Sequence, residues 1–132
     1  MQNDQIKKIL GIDYGDKRVG LAIAEINSMA APYKVILNTD LFDQLQQIIN
    51  DEDIDLLVVG LPHSLSGQTN ERLQITEDFI ESLKQKFSLS VETVDEQLTS
   101  KLYTKMGVTK DIDKHAATAI LDTWLAKQKR HD

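Results

Sequence analysis

The stretch "DLLVVGLP", residues 55–62, restricts the fold of this chain more than any other. From Leu56 to Leu61 it holds only apolar residues and glycine, and it stops at Pro62. It has no polar face to turn toward water, and it is short for a buried helix. A central strand covered on both faces satisfies both facts. Such a strand needs packed layers above and below it, which predicts an α/β fold.

The rest of the chain can supply those layers. Ile6 to Asp13 reads as a strand, and Arg18 to Ala24 as its antiparallel mate across Gly15-Asp16-Lys17. "YKVIL", residues 33–37, is a third strand. Leu41, Phe42, Leu45, Ile48 and Ile49 recur at helical spacing behind Thr39 or Asp40 as the cap. Leu73, Ile80, Leu83 and Phe87 predict a longer helix over 69–86, and "LSVETVD", residues 89–95, a fifth strand. Leu98, Leu102 and Met106 fit a short helix stopped by Gly107. Ala116, Ala117, Ile120, Leu121, Trp124 and Leu125 mark a last amphipathic helix. The order β-β-β-α-β-α-β-α-α predicts a mixed sheet with helices on both faces, in a single domain spanning residues 1–132. In open sheets of this kind ligands sit beyond the carboxyl ends of the strands.

Composition narrows the function classes. The opening "MQNDQIKKIL" lacks the apolar segment of a signal peptide, and no stretch approaches the roughly 20 residues of a membrane span. The expectation is a cytoplasmic protein with no membrane partner. The absence of cysteine excludes disulfides and thiolate metal sites. The net charge of −6 argues at first against a nucleic-acid partner, but its distribution matters more than its sum. Residues 38–81 hold ten acids and one base, Arg72, whereas residues 98–132 hold seven bases and four acids. The acidity belongs to the middle of the chain and leaves room for a phosphate-binding face elsewhere.

Several carboxylates fall where the fold can bring them together. Asp13 ends the first strand in "ILGIDYGDKRVGLA", Asp95 and Glu96 end the fifth, and Asp113 lies just before the last helix in "DIDKHAATAIL". Taken singly, Asp13 suits a turn that accepts backbone N–H bonds. Asp113 suits a helix N-cap, and Glu96 a solvated junction. Taken jointly they suit a divalent cation. Mg²⁺ favours hard oxygen ligands, and two such ions roughly 4 Å apart activate a water and stabilise the leaving oxygen of a phosphodiester. Oxygen donors without cysteine fit that use better than they fit Zn²⁺.

Four motifs, "GIDYGDKRVGLA", "VVGLPHSLSGQT", "VDEQLTS" and "DKHAATAIL", resemble in order and context the YqgF family. These are small bacterial proteins described as Holliday-junction-resolvase-like nucleases and as pre-16S rRNA processing nucleases. The likeness runs from about residue 8 to residue 126. It implies an RNase H-like mixed five-stranded sheet, the first three strands antiparallel and the last two parallel to the first. It further implies that Asp13, Glu96 and Asp113 are catalytic acids that bind Mg²⁺, with Mn²⁺ as the alternative, and it selects Glu96 over Asp95. Lys17 and Arg18 in the hairpin turn become candidate phosphate contacts. So do Ser64, Ser66, Thr69 and Asn70 in the loop after the fourth strand, although Thr69 or Asn70 equally suits the cap of the next helix. His63 and His115 take no catalytic assignment.

The chain also departs from that pattern. Gln97 stands where the family usually has Arg, and Gln lacks the fixed charge and bidentate fork that Arg offers a phosphate. The segment from Thr99 to Asp113 is short, and Lys114 follows Asp113 where Ser is common; Lys114 and Gln97 count among the candidate substrate contacts. The expected activity is a metal-dependent endonuclease acting on structured nucleic acid, with precursor ribosomal RNA ahead of a four-way DNA junction because no long basic surface is evident. A catalytically weakened nucleic-acid-binding module is the competing reading. A nucleotide-binding phosphotransfer module is disfavoured, since no second Gly-rich phosphate loop or Walker-type motif follows. The chain is expected to act as a monomer or homodimer.

Overall fold

The apolar run at residues 56–61 forms a strand with a hydrogen-bonded neighbour on each side, as its lack of a polar face requires. In the computed structural model, which describes residues 6–62, 71–96 and 116–129, the elements are β1 (Lys8–Asp13), β2 (Arg18–Glu25), β3 (Ala31–Leu37), α1 (Leu41–Glu52), β4 (Leu56–Leu61), α2 (Glu71–Lys86), β5 (Ser90–Asp95) and α3 (Ala116–Lys129). The sheet order is β3-β2-β1-β4-β5. β2 lies antiparallel to β1 and to β3, whereas β4 runs parallel to β1 and β5 parallel to β4. The expected mixed sheet is therefore present. The short helix expected around Leu98–Met106 lies outside the described residues. Among the described residues no helix is long and apolar enough to cross a membrane.

Strand alternation divides the core in two. Leu10, Ile12, Leu57 and Val59 face α1 and α2, where they meet Leu45, Ile48, Phe79 and Leu83. Ile9, Ala22, Leu56 and Val58 face α3, where they meet Ala117, Ile120, Leu121 and Trp124. The approach of α3 depends on what its side of the sheet omits. A Cβ added at Gly11 would stand 3.1 Å from both the Ala117 carbonyl oxygen and Leu121 Cβ, so glycine lets the helix settle a few tenths of an ångström deeper than a larger residue would. Two polar contacts fix α3 across the sheet. Trp124 Nε1 donates to Glu92 Oε1 at 2.7 Å on β5, and the Ala30 amide donates to Asp122 Oδ1 at 3.0 Å just before β3.

The end of the sheet away from the carboxyl termini of β1, β4 and β5 is fastened separately. Asp55 Oδ2 accepts from the Lys7 and Lys8 amides at 2.8 and 3.0 Å, and Lys8 Nζ pairs with Glu52 Oε1 at 2.8 Å. One expected detail differs. Asp40 stands at the N-cap of α1 but in a left-handed conformation (φ 50°, ψ 41°), and its side chain makes no capping bond. A side-chain cap needs an extended backbone at that residue. Gln44 fixes the chain entering the helix: its backbone N–H donates to the Asp40 carbonyl at 3.1 Å, and its Nε2 donates to the carbonyls of Leu37 and Thr39 at 3.0 and 2.7 Å.

Leu121 is fully buried over Gly11, so removing its side chain leaves a void that a helix pinned at both edges closes poorly. Leu121→Ala is expected to lower stability by about 2–5 kcal/mol in urea denaturation while the far-ultraviolet dichroism of the native state is kept.

Candidate active site

Three positions on the α3 side of the sheet build the candidate site, each at the carboxyl end of a parallel strand. Ile9, Gly11 and Asp13 of β1 share that face, as do Leu56, Val58 and Gly60 of β4, and Glu92, Val94 and, one residue past β5, Glu96. Neighbouring strands lie about 4.8 Å apart, so β1 and β5, separated by β4, stand roughly 10 Å apart. Two carboxyl side chains can meet across that gap only if the strand between them carries nothing on this face. Gly60 meets the condition. A Cβ there would fall 3.2 Å from Glu96 Cγ and would also collide with the Ile120 side chain of α3.

Across this gap Asp13 and Glu96 make a side-chain hydrogen bond. Both residues are half-buried. Partial burial raises the Glu96 carboxyl above its ordinary value of 4.5, and the Asp13 charge raises it further. The Arg72 guanidinium acts in the opposite sense. The hydrogen bond to Asp13 and the charge of Asp95 add to the rise. The nearness of Asp13 is thus a second cause, after burial, of the raised proton affinity of Glu96. Asp95, one residue earlier, belongs to the α1/α2 side by strand alternation. That alternation is the physical reason Glu96 rather than Asp95 meets Asp13.

A pair of carboxyls in contact needs either a proton or a cation between them, and hard oxygen donors suit Mg²⁺ or Mn²⁺. The residues present thus fit a divalent ion through Asp13 and Glu96. Among the described residues no three acids or histidines form a metal-holding group. Asp113 lies outside the described residues, as do Ser64, Gln97, Lys114, His63 and His115.

Lys17 and Arg18 are exposed in the β1–β2 turn. The turn is tied to the end of β3, because Asn38 Nδ2 donates to the Gly15 carbonyl and the Asn38 amide to the Lys17 carbonyl, both at 2.8 Å. Beside this turn opens a cavity of about 340 Å³ lined by Tyr14, Gly15, Asp16, Arg72, Ile75 and Thr76. The sequence reading assigned no role to Arg72. Its signal was its isolation, as the one base among ten acids between residues 38 and 81.

A five-stranded mixed sheet of this order, with helices on both faces and acids at the carboxyl ends of its parallel strands, is an RNase H-like fold. A solved structure of Thermus thermophilus RuvC in complex with a Holliday junction substrate superposes with a TM-score of 0.65, at 11% identity, over 93% of this chain and 96% of that one. Another T. thermophilus RuvC structure gives 0.61 at 10% identity. The family model RuvX, described as Holliday junction resolvase, matches residues 7–127. A protein of Maridesulfovibrio salexigens named "Putative pre-16S rRNA nuclease" is 38% identical over 91% of this chain and 98% of its own length. One from Sulfurihydrogenibium with the same name is 35% identical over 91% and 90%. The chain belongs to the RuvX family, the one its four motifs resemble under the name YqgF.

Two outcomes follow from the geometry. Gly60→Ala places a methyl group against Glu96 Cγ and Ile120, and is expected to cost about 1–3 kcal/mol of stability and to separate the two acids; urea denaturation reads the first effect. The second concerns pH in the metal-free protein. Glu96 holds its proton more tightly folded than unfolded, so its contribution to stability is present below the ordinary 4.5 and lost as pH rises through the elevated folded value. Melts in EDTA from about pH 4 to about pH 8 should show a decline for the wild type that is flatter in Glu96→Gln.

Proposed function

We propose that this protein is a divalent-metal-dependent endonuclease that hydrolyses phosphodiester bonds in structured RNA, with 5′-end processing of precursor 16S ribosomal RNA in the cytoplasm as its role. The observation that carries this reading is the meeting of Asp13 and Glu96 across Gly60 at the carboxyl ends of the parallel strands. The names of the relatives support the RNA substrate, and the fold shared with RuvC supports a nucleic-acid substrate in general.

Asp13 and Glu96 would hold the metal, with Asp113 as a third acid. When bound, the ion supplies positive charge against the phosphodiester and acidifies a water. Asp13 is the fixed member of the set, since it sits on a central strand whose backbone is bonded on both sides. Glu96 has the longer side chain and a carboxyl whose proton affinity is raised by burial, which suits it to orient the attacking water and accept its proton. The water oxygen then bonds to phosphorus in line with the departing oxygen, whose own bond to phosphorus breaks as it takes a proton from solvent water. Lys17 and Arg18, exposed at the hairpin turn, and Ser64, Gln97 and Lys114 are the proposed contacts to the flanking backbone. The acid-rich middle of the chain disfavours a long duplex track, which ranks a four-way DNA junction second.

The test is a cleavage assay on a precursor ribosomal RNA fragment and a four-way DNA junction, with Mg²⁺, Mn²⁺ or EDTA. Wild-type protein should cut the RNA only with metal, and Asp13→Asn and Glu96→Gln should each slow cutting at least about 100-fold while remaining folded. Cutting of the junction alone would transfer the proposal to DNA. Metal-independent cutting, or wild-type activity in the two variants, would remove it.

A further inference from the structure

We infer that Arg72, together with the cavity it shares with the β1–β2 turn, is a substrate subsite that holds one backbone phosphate of the nucleic-acid strand beside the scissile bond. The inference rests on the nuclease reading above and adds to it a residue and a place that neither the motifs nor the acid pair indicates.

Three independent observations converge on it. The first is position. The cavity of about 340 Å³ lies next to the end of β1, since Tyr14, Gly15 and Asp16, the residues directly after Asp13, form one wall and the first turns of α2 form the other. A strand whose scissile phosphate sat at Asp13 would pass this opening with an adjoining nucleotide. The second is charge. Arg72 is exposed, and its guanidinium is near enough to Glu96 to oppose the rise in that carboxyl's proton affinity. It is also the lone base in a span of ten acids. An anion drawn to this side of the molecule therefore meets the Arg72 cation at the edge of the acid pair.

The third is shape. The Tyr14 ring is stacked on Phe79, with centroids 4.0 Å apart and planes 17° apart, which fixes that wall. Ile75 is 38% exposed on the helix side. The opening thus pairs the Arg72 cation with apolar surface, the combination that suits a phosphate with its sugar. Asp16 puts a carboxylate on the same rim. A phosphate bound there depends on Arg72 to offset that charge, which makes the site sensitive to a single substitution.

The experiment measures binding of a fluorescently labelled single-stranded precursor ribosomal RNA fragment, with Ca²⁺ in place of Mg²⁺, over a range of salt. It compares wild type, Arg72→Gln, Arg72→Lys and the control Lys84→Gln, a base in the last turn of α2. Removing one phosphate contact should weaken binding roughly tenfold at low salt and reduce the slope of log K against log salt by roughly 0.7. Arg72→Lys should recover the slope with part of the affinity, because Lys keeps the charge and loses the fork. Lys84→Gln should match wild type. In the cleavage assay Arg72→Gln should raise KM more than it lowers kcat, the mark of an interaction made equally in ground and transition states. A wild type that cuts RNA beside an Arg72→Gln protein with unchanged slope and KM would overturn the subsite and leave the nuclease reading standing. Should Arg72→Gln melt early, Arg72→Lys decides, since a structural role would leave its slope unrelated to charge. A wild type that neither binds nor cuts RNA or DNA would overturn both readings.

Discussion

Two carboxyl groups meet in half-buried space between strands that do not touch, and most of the structure can be understood from that arrangement. β1 and β5 stand two strand spacings apart, so a side chain on β4 at the crossing level would keep Asp13 and Glu96 from each other. Gly60 leaves that level empty, while Ile120 of α3 closes the space from above. The same omission thus serves packing and site geometry together. α3 can sit low on the sheet because Gly11 and Gly60 present no Cβ, and its depth encloses the acids enough for burial to be the largest cause of the raised proton affinity of Glu96. A bulkier residue at either glycine acts on stability and on the acid pair through one displacement.

The electrostatic consequence is a site unsatisfied without a third party. Like charges in contact destabilise the folded state unless a proton is shared or a cation intervenes. The rest of the fold offsets that burden at a distance from it. Fully buried aliphatic residues on both faces of β4, the Asp55 and Lys8–Glu52 contacts at the opposite end of the sheet, and the two polar pins of α3 all lie away from the acids. A catalytic centre can hold unfavourable local energy when the scaffold around it is fixed by contacts it does not share.

What the sequence made legible and what it withheld divide along local and non-local lines. The hairpin, the unbroken apolar run of β4 and the helical spacings of α1, α2 and α3 are local patterns, and those elements stand where the pattern put them. The choice between Asp95 and Glu96 came from resemblance, yet its physical cause is strand alternation, which puts Glu96 on the α3 face with Asp13. Thr39 or Asp40 was expected to cap α1 on residue type alone; Asp40 takes the N-cap position, and its left-handed backbone, which no local pattern signals, keeps its side chain from capping. Gly60 read simply as the end of an apolar run. Its function as a gap between two acids exists only once β1 and β5 take their places beside β4. Arg72 was visible as an isolated base, and its nearness to the β1–β2 turn required α2 to be folded against β1.

Charge then constrains how a polyanion can approach. The acids of residues 38–81 lie in and around α1 and α2, on one face of the sheet, and exposed Asp43, Asp51, Glu77, Asp78 and Glu81 make that face repel phosphate. The opposite face is occupied by α3. Among the described residues, the rim beyond the carboxyl ends of β1, β4 and β5 exposes Lys17, Arg18 and Arg72. A negative net charge is therefore compatible with nucleic-acid recognition here. Repulsion by the helical face favours approach along the edge where these cations lie, so that a weakly basic rim can orient a strand that a uniformly basic surface would hold in many registers.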